Sequence, residues 1–342
     1  MKSYLVYSKV VRLTQIIVLT VTTLTFYSSA FSNQISFSRV APMPNGCAVV
    51  YGNLGLGSSD FLLKQCTSSW KVIKTFDIGH ISQLQFVSND TAWGISGTKL
   101  IKLKLRKNNA TFEIIQPKVI EIGLDDLYFA NANVGWACGR NGTILKTTDA
   151  GRSWRLTETN IGHDLSEIRF NRRGFGWSTW KPKVSQSGNS GFIISEDWGR
   201  TWKEGTSASL PRFSTAFFSS IFHGCAIVSR TELSCTFDGK KWRDIELNAE
   251  NRAALYLMNS RIGWSVGSSI IQTMDGGKTW TYSLQHPNET TRAYQGLFLS
   301  GVIFTTKNDG WAWGLTSVFR TYDQGRSWSK VSEKWLGEMS KL

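Results

Sequence analysis

From about residue 40 to residue 331 the chain alternates short apolar or aromatic runs with clusters of turn residues, and the alternation repeats. The clearest unit reads Leu127-Tyr128-Phe129, then Gly135-Trp136-Ala137-Cys138-Gly139, then Thr143-Ile144-Leu145-Lys146, then Trp154-Arg155-Leu156. Short runs of β-branched and aromatic residues, bounded by Gly, Asn and Asp, predict strands. The unit therefore predicts four antiparallel strands joined by tight turns, which is one blade of a β-propeller. A period near 40 residues over most of the chain sets the architecture before any other argument.

Gly135-Trp136 returns as Gly176-Trp177, Gly263-Trp264 and Gly310-Trp311, with Ala92-Trp93 and Gly224-Cys225 as weaker copies. A degenerate unit upstream offers Gly46 to Gly52, Phe61 to Cys66 and Trp70 to Ile73 as its second, third and fourth strands. Seven units account for nearly the whole chain. The expected fold class is all-β, a seven-bladed β-propeller of four-stranded antiparallel blades. Closing the ring leaves no long sheet edge unpaired.

A second phrase accompanies the first. It reads Thr148-Asp149-Ala150-Gly151-Arg152-Ser153-Trp154 and returns around Asp197, Asp275 and Asp323, with a copy one residue shorter at Phe237-Asp238-Gly239-Lys240-Lys241-Trp242. Gly supplies the positive φ such a turn needs. The Asp carboxylate accepts backbone N–H bonds within its own turn. Asp149, Asp197, Asp238, Asp275 and Asp323 are thus expected to be structural, each in its own blade and too far from the others to form a metal site or an acid pair. The repeated Trp residues read as packing between blades. Only Trp180, Trp198, Trp313 and Trp335 stand outside the pattern, where a sugar platform is conceivable.

Composition adds a location. Residues 1–30 read as a secretory signal peptide, with Lys2, Lys9 and Arg12 before an apolar stretch and Ser28-Ser29-Ala30 at its end. That stretch is shorter than the roughly 20 apolar residues of a bilayer span. Residues 31–342 are then expected to be a single exported domain, periplasmic or extracellular, and monomeric. Removing Lys2, Lys9 and Arg12, with no acid lost, lowers the net charge from +14 to +11. A basic exported protein favours an acidic protein or anionic ligand, a membrane-associated partner among them, over nucleic acid. The five Cys suit an oxidising compartment. Cys47 and Cys225 belong to second strands, and Cys66 and Cys235 to the third strands of the same two units. This predicts the bridges Cys47–Cys66 and Cys225–Cys235, with Cys138 a buried thiol. No Cys-x-x-Cys or Cys–His spacing suggests zinc, and neither a metal nor a cofactor is expected.

The Asp phrase resembles the Asp-box, or BNR repeat, of sialidases and other propellers. The longer unit, Gly135 through Asp149, resembles the repeat of the photosystem II assembly/stability factor-like propellers, and Gly263 through Trp280 matches nearly as well. The resemblance covers about 40 to 331 and is strongest from 127 to 328. It implies the propeller fold and a non-catalytic role in assembling a membrane complex, as family members have in photosynthetic organisms.

Propeller sites lie at a mouth of the central channel. Counting back six or seven residues from an apolar residue in each first strand reaches His80, His163, Arg212, Arg252 and Arg292. These are expected to ring one mouth and bind an anion, joined by Lys181 and Lys183 from a long loop. The competing reading is that such side chains only bond loop carbonyls. Arg172 and Arg173 fall on the opposite face and read as a solvated turn. Two function classes follow: a binding scaffold for an acidic partner, or a sialidase-like glycoside hydrolase. The enzyme would need a Tyr–Glu nucleophile and an acid, and Tyr256, Tyr294, Glu250 and Glu289 are the nearest candidates.

Overall fold

The computed structural model describes residues 36–331 apart from 54–59, 67–68, 77–79, 98, 107–108, 116, 118–122, 181–189, 206–212, 248–250, 285–297 and 316. Among the described residues 28 strands form seven four-stranded sheets, each built from four strands consecutive in sequence. The only helical piece described is a 3₁₀ turn, Arg140–Gly142. The protein is a seven-bladed propeller. Its first strands are Ser36–Pro42, Ile81–Phe86, Leu124–Phe129, Leu165–Phe170, Thr215–Ser220, Arg252–Leu257 and Leu299–Phe304. They pack beside one another around the axis.

Among the described residues no strand from one end of the chain completes the other end's blade, and the ring closes through a backbone hydrogen bond and side chains. Phe37 donates its N–H to Leu315 O (2.8 Å), and Trp313 Nε1 donates to Ser38 O (3.2 Å). Arg320 Nη2 donates to Gly46 O (2.7 Å) while its carboxylate partner is Asp309 (3.0 Å). The same guanidinium lies 4.2 Å from the Trp311 ring centre and 4.5 Å from that of Tyr322. Stacking and bidentate pairing together are what a planar guanidinium can do and an ammonium cannot.

The Asp phrases explain how blades join. In each, the carboxylate closes its own turn: Asp149 accepts from Ser153 N (2.9 Å), Ser153 Oγ (2.6 Å) and Thr147 Oγ1 (2.9 Å). The glycine two residues on then presses against the preceding blade. A β-carbon at Gly151 would collide with the Trp93 indole, and one at Gly325 with that of Trp264. Both also have positive φ, so glycine is required twice over. A third-strand residue, three before the Asp, finishes the seal by reaching the next blade's turn. Lys146 Nζ donates to Trp198 O (2.6 Å) and Gln272 Nε2 to Gln324 O (3.0 Å). The Gly-Trp and Asp phrases are two halves of one inter-blade joint, and Trp93, Trp136 and Trp264 are buried in it. Trp180 and Trp313, outside the sequence pattern, are buried as well, whereas Trp198 is half-exposed over Phe170.

In blade five a disulfide stands where blades two, three, four, six and seven have Trp. Cys225 and Cys235 are directly opposed in adjacent strands and bridged, and Gly277 of the next blade packs on both sulfurs. Cys47 and Cys66 are bridged in blade one, and Cys138 is a buried free thiol. Two disulfides fit an oxidising, exported environment.

Candidate binding surfaces

Six first strands carry a β-bulge at the same place, skipping Ser38, Ser82, Asp125, Ser166, Ala253 and Ser300. A bulge re-aims the side chains beside it, and it governs the fate of the counted residues. His80 is exposed immediately before its strand. His163 is exposed two residues before Leu165 and stacks on Trp180 (5.0 Å between ring centres, planes 1° apart). Arg252 is itself the first residue of its strand and is only 6% exposed. Its guanidinium turns inward to Ser269 Oγ (2.7 Å), Ser265 O (3.2 Å) and Ser269 O (3.3 Å), and burial pulls its pKa down to about 10. The register explains this. Leu257 pairs with Gly263 as Phe304 pairs with Gly310, so Leu257, and not Met258, is the repeat's anchor. Arg252 thereby occupies the inward position of Ile81, Leu165 and Leu299. Phe298, by contrast, precedes its strand, whose anchor is Phe304, so Arg292 stands six residues earlier in the sequence than the position intended. Arg212, Arg292, Lys181 and Lys183 lie outside the described residues, as do Glu250, Glu289, Tyr294 and Trp335.

Inside the channel each first strand has an edge without a strand partner. Side chains of the preceding blade cap these edges, as unpaired backbone groups require. Gln85 both donates to Phe129 O and accepts from Phe129 N (2.8 Å each). Asp126 accepts from Ile168 N (3.0 Å) and pairs with the Arg169 guanidinium. Asn171 Nδ2 donates to Ser219 O (3.0 Å). Burial pushes the Tyr128 phenol above its ordinary range and that of Tyr256 to about 12. The positive charge of Arg172 acts on both in the opposite sense. Arg172 lies exposed in the turn after its blade's first strand, as the reading of it as a solvated turn expects.

That face is the basic one. The residue after each box glycine, Arg152, Arg200, Lys240, Lys278 and Arg326, is exposed. So are Lys241 beside them and Arg172, Arg173, Arg261 and Lys307 in the first turns of their blades. The neighbouring carboxylates are already engaged. Asp149 and Asp323 are held at about 2 by the Ser153 and Ser327 hydroxyls and amides. For Asp197 and Asp275 burial pulls the other way, but the Thr201 and Thr279 hydroxyls and amides win, again leaving them at about 2. Asp238 is lowered by the Lys241 and Lys240 amides. Asp90 pairs with Lys104, Glu196 with Lys203 and Asp309 with Arg320. The opposite mouth is mixed instead, since Asp125, Asp164 and Arg140 accompany His80 and His163 there. Among the described residues no group of three or more His, Cys, Asp or Glu could hold a metal ion.

Comparison with known proteins agrees with this architecture. The family model for the photosynthesis system II assembly factor YCF48 matches residues 54–182. The chain resembles that family there and shares its fold. A solved structure described as YCF48 bound to D1 peptide aligns with a TM-score of 0.61 at 13% identity, covering 85% of this chain and 94% of that one. YCF48 from Cyanidioschyzon merolae aligns with a TM-score of 0.61 at 14% identity, covering 85% of this chain and 96% of that one. A search of curated proteins found no match.

Proposed function

We propose that this chain is an exported, non-catalytic scaffold that binds an acidic protein segment across its Asp-turn face, in the manner of an assembly or stability factor. The observation that carries the reading is ten exposed Lys and Arg on one face, more than the carboxylates beside them, which are held in their own turns or ion pairs. Like charges spread over one face add their fields above it and attract an oppositely charged partner. The structural relative bound to a peptide supports a protein partner. The same engagement of carboxylates argues against a glycosidase at this mouth, since a general acid needs a free carboxyl there.

The test is binding of a fluorescent oligoglutamate peptide to the purified chain. Changing Arg172, Arg173, Lys240 and Lys241 to Ala should weaken binding at least about tenfold, and raising salt should weaken it further because exposed charges are screened within about 8–10 Å. A parallel His80→Ala/His163→Ala/Arg212→Ala variant probes the other mouth. Loss of binding there, with the first variant unaffected, would move the site to the opposite face.

A further inference from the structure

Among the described residues four joints of the ring are closed by a Trp, or a disulfide, lying against the next blade's turn: Trp93 on Gly151, Trp136 on Gly199, the Cys225–Cys235 bridge on Gly277 and Trp264 on Gly325. The joint between blades four and five is not closed this way. Ile194 stands three residues before Asp197, where Lys146, Gln272 and Arg320 stand before their own box Asp. An aliphatic side chain has nothing to donate to the next turn. That next turn is the copy one residue short, and a β-carbon at its Gly239 would meet the Ile221 carbonyl of its own blade. Trp177 lies edge-on to Phe217 instead, with ring centres 4.9 Å apart.

The two departures leave a cavity of about 50 Å³. Phe175, Phe192, Phe218 and Thr236 form its buried floor. Ile194, Ile221 and Trp242 stand half-buried at its rim, so it opens to solvent. A water needs only about 10–15 Å³, but it also needs two or more polar partners, and this lining is almost all carbon. Charge frames the opening on both sides. Phe175 follows Arg172 and Arg173 closely, and Gly239 and Trp242 bracket Lys240 and Lys241, all four cations being exposed. Phe222, next to Ile221, is 60% exposed.

We infer that this socket seats a single leucine-sized apolar side chain of the acidic segment, with acidic residues on either side of it meeting the two cation pairs. The inference rests on the binding reading above and gives it a sequence preference: acid, one apolar anchor, acid. Burying such a side chain supplies the affinity that long-range charge alone does not, because charge mainly sets encounter rate and register.

Two labelled heptapeptides test it on the full chain by fluorescence anisotropy. Each has three acidic residues on either side of a central leucine or a central glycine. The leucine peptide should bind about tenfold tighter, a modest share of what full burial of a leucine yields. Ile194→Phe, which fills the socket, should bring the ratio to about one and leave the glycine peptide's affinity unchanged. Should that variant unfold by circular dichroism, Ile221→Ala serves in its place. It widens the rim and should shift the preference toward a central phenylalanine. Equal binding of both peptides to wild type overturns the socket and leaves the basic face standing. Failure of both to bind at low salt overturns the binding reading, and the socket with it.

Discussion

The joint between blades six and seven and the joint between blades four and five are built from the same repeat and end differently. In the first, Trp264 is fully buried against Gly325, and Gln272 reaches the Gln324 carbonyl. In the second, Ile194 replaces the reaching donor and the turn loses a residue, so carbon-lined space remains. The comparison teaches that the Asp phrase is a joint whose parts are needed together. The glycine admits the indole, the Trp fills the gap, and the donor satisfies a turn carbonyl that burial would otherwise orphan.

The largest way to break this comparison is to remove an indole from a sealed joint. Trp136→Ala should destabilise by about 3–5 kcal/mol, as deletion of a fully buried aromatic does. A chemical denaturation midpoint close to wild type would show that the joints do not bear the fold. The next test exchanges the third-strand residue. Arg320→Met leaves Asp309 and the Gly46 carbonyl without their partner and should cost about 3 kcal/mol, whereas Ile194→Met at the matching position should cost less than about 1.5 kcal/mol. Equal losses in the two variants would mean that the position carries no joint function.

The smallest effect is in acid. The Asp149, Asp197, Asp275 and Asp323 carboxylates sit at about 2, below their ordinary 3.8. A depressed carboxylate contributes stability above its unfolded value and loses it as pH falls through the folded one. The thermal midpoint should therefore stay level near neutrality and drop between about pH 4 and pH 2. Asp149→Asn should flatten part of that drop. An unchanged acid profile in that variant would place the acid sensitivity elsewhere.

The counted ring shows where reading the chain stopped. Leu257 and Met258 are adjacent and both apolar, so spacing alone could not say which anchors the strand. The pairing with Gly263 decides it and turns Arg252 inward. The basic box residues were in view all along, at a fixed place after each glycine. What spacing could not show is how the box carboxylates are held: ionised, at about 2, and bonded to the hydroxyls and amides of their own turns. The missing donor at Ile194 was legible too, three residues before Asp197, but only beside an account of what Lys146 and Gln272 do.

By itself the sequence determined the seven blades, the strand order within each and the turns that end them, because a short repeat whose copies cannot bury their own faces has to stack on neighbours. Local chemistry sufficed for that: glycine for the turn, Asp to cap it, alternating apolar residues for the strands. Only the tertiary structure decided which face is basic, which arginine is buried and where a joint stays open. Those depend on what the next blade presents, some 40 residues along the chain, and on a one-residue bulge that reverses the direction of a side chain.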